Sequence, residues 1–108
     1  MPRPDQLPEL RERAGDVAAL LKTMSHPNRL LAVCALIEGE KSVGTIENET
    51  GVKQPTLSRD LARLRAEGLV AARRDSKTVY YSIADIRLNL LIDALCNAFG
   101  PDGEDPAD

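Results

Sequence analysis

The most reactive side chains in this chain are two cysteines, Cys34 and Cys96, and a single histidine, His26. The cysteines form no CxxC or CxC pair, and these three side chains are too few for the usual four-ligand zinc site. One histidine near a helix start provides no Ser-His-Asp set, and the sequence has no HExxH motif or glycine-rich phosphate loop. The sequence therefore argues against an enzyme and predicts neither a metal site nor another cofactor.

The segment from Lys53 to Lys77 concentrates positive charge. It holds seven cations and three anions, a net charge of +4, so the rest of the chain carries −7 of the total of −3. A basic stripe on an acidic body directs DNA to one face of a protein. The alternative is a set of ordinary solvated helix charges, or a surface used only for protein–protein contact.

Polar side chains within and before this segment have types that suit DNA contacts. Glutamine can pair with adenine and arginine with guanine, whereas serine and threonine are less selective. Side chains further along a helix, or on a hairpin, suit phosphates and the minor groove. We predict base contacts from Gln54, Thr56, Ser58 and Arg59, and backbone contacts from Ser42, Thr45, Arg63, Arg73, Arg74 and Lys77.

The spacing of apolar residues predicts the elements that carry these side chains. Apolar residues recur at helical intervals from Val17 to Met24, from Leu30 to Ile37 and from about Asp85 to Phe99. Between them, helices at 43–50 and 55–67 are separated by a tight turn, as in a helix-turn-helix. Two β-type runs at 69–74 and 78–83 then indicate a hairpin with a charged tip.

We therefore expect a mainly α fold with a small β-hairpin, a winged helix-turn-helix in the order α-α-α-α-β-β-α. Its 108 residues suit one domain. We place that domain at 15–100, after a flexible segment at 1–14 and before an acidic, disordered tail at 101–108.

No apolar run approaches the roughly 20 residues of a membrane span, and no signal peptide is indicated, so we expect a cytoplasmic protein. An apolar face on the last helix, with Leu88, Leu91, Leu95 and Phe99, predicts a homodimer.

Several motifs resemble those of the arsenic-repressor (ArsR) family of winged-helix regulators. They are His26-Pro27-Asn28-Arg29-Leu30-Leu31, Gly39-Glu40-Lys41-Ser42-Val43-Gly44, the run from Gln54 to Leu64, Gly68-Leu69-Val70, Arg73-Arg74-Asp75 and Thr78-Val79-Tyr80-Tyr81. The resemblance covers about residues 15–100. It implies a homodimer joined by the first and last helices, binding to an inverted-repeat DNA operator, and release from DNA by an inducer.

The resemblance also bears on the signal. The metal ligands of many relatives look absent, because the third helix has no thiol or imidazole and the last has no histidine. The similarity is greatest to the BigR- and HlyU-like branch, which senses sulfide, persulfide or oxidants with two cysteines. Cys34 matches the first of them, whereas Cys96 lies four residues, or about 6 Å, before the usual place of the second.

Two interpretations of the cysteines stay open. A disulfide needs Cα atoms within about 7 Å, so a shift of one helical turn could prevent it, while a polysulfide bridge is more tolerant. In this interpretation a reactive sulfur species or an oxidant is the inducer. Alternatively, both cysteines are small buried hydrophobes, as in a nodulation-type repressor that lacks the pair, and the signal is a different one.

Overall fold

The structure is a computed structural model that describes residues 6–100. These residues form five helices and three strands: α1 (Leu7–Met24), α2 (Pro27–Ala35), β1 (Lys41–Ser42), α3 (Val43–Thr50), α4 (Thr56–Ala66), β2 (Val70–Asp75), β3 (Thr78–Ile83) and α5 (Ile86–Phe99). The predicted mainly α winged helix-turn-helix is confirmed. Helix α1 begins at Leu7, with Pro8 in its first turn, where a missing N–H does no harm. Most of the predicted flexible segment 1–14 is therefore helical, while residues 1–5 and the predicted tail at 101–108 lie outside the described residues.

The sheet has three strands in the order β1-β3-β2, all antiparallel. Strands β2 and β3 pair from Val70 with Ile83 to Asp75 with Thr78, and a two-residue turn connects them. Ser76 in that turn has a φ of 59°, as the tight turns of hairpins require. The sequence did not predict β1, because two residues are too few to show a strand period.

The helix-turn-helix comprises α3, the turn and α4. Ser42 begins α3 by accepting a hydrogen bond at Oγ from the Thr45 backbone N–H, at 3.1 Å. Gly51 ends α3 with a φ of 77°, a conformation that favours glycine. Gln54 then accepts a hydrogen bond at Oε1 from the Ser58 backbone N–H, at 3.1 Å, within the first turn of α4. The left-handed Gly51 and the Gln54–Ser58 hydrogen bond thus fix the two ends of the turn.

The core is aliphatic, and α2 lies at its centre. Helix α2 contacts each of the other four helices. The buried apolar residues are Met24, Ala32, Val33, Leu36, Ile46, Val52, Leu57, Leu61, Leu64, Leu69, Val70, Leu88 and Ile92. Within residues 6–100, no helix is both long and apolar enough to cross a membrane.

Helices α1 and α5 leave apolar side chains in solvent. Leu7, Leu10, Val17 and Leu21 of α1 are exposed, as are Ile86, Leu90 and Phe99 of α5. Leu88 was predicted to contact a partner, but it is fully buried in the core of its own chain. That part of the prediction is wrong, because α5 has apolar residues on more than one side and Leu88 lies on the inward one.

Candidate DNA-binding surface and thiol pair

Helix α4 is divided into a buried face and a solvent face. Leu57, Leu61 and Leu64 are fully buried. Their packing leaves other residues of the helix in solvent, among them Thr56, Ser58, Arg59, Arg63 and Arg65. The structure shows no side-chain partner for Arg59 or Arg65 within residues 6–100. The core contacts thus hold α4 in place while its polar side stays free to bind.

Gln54 and Ser58 are bonded to each other before any ligand arrives. The Gln54 Oε1 accepts hydrogen bonds from both the backbone N–H and the hydroxyl of Ser58. A bidentate pair with adenine uses both the oxygen and the nitrogen of a glutamine amide. In this geometry the Gln54 amide nitrogen alone remains free to donate, and a bidentate contact requires Ser58 to be released.

Arg63 is held by an acidic residue near the end of α4. Its Nε lies 3.2 Å from Oε2 of Glu67, one turn further along. Glu67 Oε1 accepts a second hydrogen bond, at 2.7 Å, from the hydroxyl of Thr23 in α1, which is almost fully buried. Thr23 and Glu67 thereby connect α1 to α4. This connection could not be predicted from the sequence, because the two residues lie 44 positions apart.

Ser42 and Thr45 lie together at the start of α3. The Ser42 hydroxyl donates to Thr45 Oγ1 at 2.9 Å while it accepts from the Thr45 backbone N–H. Thr45 is exposed and Ser42 is half-buried. Both side chains therefore already serve the start of the helix.

The cations of the hairpin fall into two groups. Arg74 and Lys77 are exposed, and the structure shows no partner for either side chain within residues 6–100. Arg73 instead makes two hydrogen bonds to Glu40, from Nε to Oε2 at 2.7 Å and from Nη2 to Oε1 at 2.6 Å. The hydrogen bonds from Arg73 lower the pKa of Glu40 below its ordinary value, and the same contact raises the pKa of Arg73.

A charged pair lies between α2 and α4. Arg29 Nε is 3.8 Å from Asp60 Oδ1, and the two side chains are only 13% and 14% exposed. Nε and Nη1 of Arg29, Oδ2 of Asp60 and Nδ1 of His26 are buried and have no hydrogen-bond partner among residues 6–100. Asp60 therefore points into the molecule although it belongs to the helix that carries the polar surface.

The two cysteines are neighbours. Both are free thiols, half-buried, and packed against the core. Burial first, and then a hydrogen bond with Cys96 and the charge of Cys96, raise the pKa of the Cys34 thiol from 9.0 to about 12. The offset of one turn in Cys96 therefore does not separate the thiols. Within residues 6–100, no three acidic, cysteine or histidine side chains are grouped so as to hold a metal ion.

Three solved structures have the same fold. The transcriptional repressor BigR from Xylella fastidiosa is 46% identical, with a TM-score of 0.79 over 84% of this chain and 93% of that one. Reduced HlyU from Vibrio cholerae is 32% identical, with a TM-score of 0.79 over 85% and 97%. The homodimeric winged helix-turn-helix DNA-binding domain of a possible ArsR-family regulator from Mycobacterium bovis is 31% identical, with a TM-score of 0.65 over 86% and 83%.

The family model described as "Bacterial regulatory protein, arsR family" matches residues 26–72 of the sequence, from the start of α2 into β2. This range contains the whole helix-turn-helix and the buried Arg29–Asp60 pair. The resemblance to BigR and HlyU noted in the sequence is confirmed by the two structural matches. The chain therefore belongs to the arsR family of bacterial regulatory proteins, and it is a winged helix-turn-helix transcriptional regulator and not an enzyme.

Proposed function

We propose that this protein is a homodimeric repressor that binds an inverted-repeat operator and is released from it by a thiol-directed signal. The observation that carries the DNA-binding part is the division of α4, whose leucines are fully buried while Thr56, Ser58 and Arg59 are exposed. A recognition helix enters the major groove with residues of its N-terminal part at the base edges. These three residues lie in that part of α4.

The roles of the polar residues follow from their partners. Arg59 is exposed and has no side-chain partner within residues 6–100, so its guanidinium is free to bind guanine. Arg63 uses only its Nε for Glu67, at 3.2 Å, which leaves its two terminal nitrogens for a phosphate. Arg74 and Lys77 extend from the hairpin toward the backbone or the minor groove. At the start of α3, Thr45 Oγ1 accepts from Ser42 and keeps its own proton to donate to a phosphate, while Ser42 must release Thr45 to do the same.

The exposed apolar residues of α1 and α5 require a partner, and that partner is a second copy of the chain. The exposed residues Leu7, Leu10, Val17 and Leu21 of α1 follow one another at intervals of three, seven and four, the spacing of a coiled-coil seam. On α5, Leu90 and Phe99 are 65% and 83% exposed, and Leu91 and Leu95 are half-buried. The homodimeric domain from Mycobacterium bovis supports this arrangement. Leu91, Leu95 and Phe99 remain in the proposed interface, and Leu88 does not.

The adjacent thiols are the proposed sensor. A bridge between Cys34 and Cys96 releases two protons and two electrons. Diamide accepts both as it becomes a hydrazine; a polysulfide accepts them as it splits into hydrosulfides, and it can leave sulfur atoms in the bridge. Because the pKa of Cys34 is about 12, this thiol stays protonated at neutral pH. One thiol attacks the oxidant as its thiolate, and the other thiol completes the bridge.

The burial and the raised pKa of Cys34 also favour a second candidate function. In it the cysteines are packing residues, and the repressor responds to a different signal. Both thiols pack against the core, and a thiol with a raised pKa reacts slowly. This alternative keeps the operator and the dimer but places the inducer elsewhere.

The test begins with selection of an operator from random DNA by the reduced protein. Footprinting is expected to show two half-sites about 34 Å apart in an inverted repeat. Treatment with tetrasulfide is then expected to weaken operator binding at least about tenfold, or about 1.4 kcal/mol. Intact mass is expected to show a cross-linked species, which Cys34→Ser and Cys96→Ser both abolish.

The possible failures of this test are distinct. If no inverted repeat is enriched, the proposed repressor function is wrong. If an operator is found but the treated protein binds it as tightly as the reduced one, the cysteines are packing residues and the second candidate holds.

A further inference from the structure

Arg73 differs from the two other cations of the hairpin because it is fixed on two sides. Its Nε and Nη2 donate to the two oxygens of Glu40, the fork geometry in which guanidinium and carboxylate match. Its Cζ also lies 4.7 Å from the centre of the Tyr80 ring, within cation–π range. Glu40 lies 33 residues earlier in the chain, so this contact joins two distant segments.

The contact leaves Arg73 poorly suited to bind a phosphate. The carboxylate of Glu40 occupies two of the five N–H donors and neutralises the guanidinium charge. Because Arg73 lowers the pKa of Glu40, that carboxylate stays ionised at neutral pH and repels a phosphate that approaches the pair. Arg74 and Lys77, one and four residues further along, have no such partner in the described part of the chain.

The position of Glu40 shows what the contact holds together. Glu40 directly precedes β1, and β1 leads without interruption into α3, whose first turn is capped by Ser42. Arg73 pairs with Tyr80 across the hairpin, and Tyr80 pairs with Ser42 on the other side of β3. The Glu40–Arg73–Tyr80 contact therefore spans the full width of the sheet, from the hairpin strand β2 to the segment that enters the helix-turn-helix.

We propose that Arg73 is a positioning residue and not a phosphate contact, and that its pair with Glu40 fixes the hairpin relative to the helix-turn-helix. The fixed hairpin holds Arg74 and Lys77 where they meet DNA while α4 occupies the groove. This inference rests on the proposed DNA contacts of the hairpin. It replaces the earlier prediction that Arg73 itself contacts DNA.

The experiment measures operator affinity against salt concentration for variants that separate charge from geometry. If Arg73 bound a phosphate, Glu40→Gln would free it, tighten binding and steepen the salt dependence by about one released counterion. If Arg73 is a positioning residue, Glu40→Gln weakens binding by more than about threefold, beyond the effect of an ordinary surface substitution. The two roles thus predict opposite signs for one substitution.

Arg73→Lys adds a second measurement, because it keeps the charge but cannot form the fork. The positioning role predicts that its affinity falls as for Glu40→Gln, with an unchanged salt slope. The combined exchange Glu40→Arg with Arg73→Glu restores a pair and is expected to recover affinity that Arg73→Glu alone loses. Tighter binding by Glu40→Gln, or wild-type binding by Arg73→Lys, would overturn the proposal.

Arg74→Ala is the matched control, because it removes a neighbouring cation that has no partner. It is expected to reduce the salt slope by about one. If Arg74→Ala leaves both the salt slope and the operator affinity unchanged, the hairpin does not contact DNA, and that part of the proposed function is wrong. Amide hydrogen exchange of β2 then still decides the positioning role without DNA: faster exchange in Glu40→Gln supports it, and unchanged exchange refutes it.

Discussion

Removal of one partner of the Arg29–Asp60 pair is expected to destabilise the protein more than removal of both. The two side chains are only 13% and 14% exposed, and their closest atoms are 3.8 Å apart, too far for a hydrogen bond. Two nitrogens of Arg29 and one oxygen of Asp60 are buried without a hydrogen-bond partner in the described part of the chain. The pair joins α2, which carries Cys34, to α4, which carries the proposed base-reading residues.

The magnitude follows from the separation of the charges. With an effective dielectric constant of about 20, two unit charges 3.8 Å apart attract each other by about 4 kcal/mol. Desolvation of both ions offsets most of this attraction, so the pair as a whole adds little to stability. Loss of one partner leaves the other ion buried and uncompensated, at a cost of about 3–5 kcal/mol.

The assay is urea unfolding of Arg29→Met, Asp60→Leu and the double variant, followed by circular dichroism at one protein concentration, because dimer unfolding depends on concentration. Each single variant is expected to lose about 3 kcal/mol and the double variant less than about 1 kcal/mol. The control is Arg65→Met, an exposed arginine on the same helix, with an expected change within about 0.5 kcal/mol. Single variants as stable as this control, or a double variant with the summed losses of both, would refute the reasoning.

Four further outcomes are expected. Arg59→Ala relaxes preference at one base position at a cost of about 1–3 kcal/mol, and equal losses on operator and random DNA would contradict base reading. Lys77→Ala weakens binding to all sequences alike and lowers the salt slope by about one, as competition titrations at several salt concentrations measure. Leu90→Asp converts the dimer to a monomer in sedimentation at micromolar concentration, and a persisting dimer would exclude α5 from the interface. Because the folded-state pKa of Cys34 is raised from 9.0 to about 12, its contribution to stability is complete below pH 9 and is lost as the pH rises through 12. Cys34→Ser is expected to flatten that loss in alkaline melting curves.

Local signals account for the parts of the fold that the sequence predicted well. The predicted range of α3, 43–50, is the observed one, because Ser42 can cap only the turn that follows it and Gly51 takes the left-handed conformation that ends the helix. The buried face of α4 follows from the spacing of its leucines. The sequence also indicates which polar residues of α4 are exposed, since the side opposite a buried stripe faces solvent.

Contacts between distant residues were beyond the sequence. From its charge, Arg73 was grouped with Arg74 and Lys77 as a DNA contact. Only the folded structure brings Glu40 within 2.7 Å of Arg73. Leu88 shares its helix with apolar residues on several sides, so periodicity could not tell which side faces the core. The short distance between the Cys34 and Cys96 thiols could not be predicted either, because it depends on how α5 packs on α2.

In the proposed function, the central position of α2 is the route by which a change at the thiols reaches α4. Cys34 lies beside Cys96 of α5. Arg29 and Val33, four residues apart, lie on a different side of α2, and Leu36 directly follows the helix. Arg29 meets Asp60 of α4, and Val33 and Leu36 are buried in the core that α4 also enters. A disulfide would draw the two sulfur atoms to about 2 Å from each other, and a close-packed core transmits such a shift to the elements packed on it. The displacement of α2 would therefore appear at α4, where even a small rotation changes which bases Arg59 can reach.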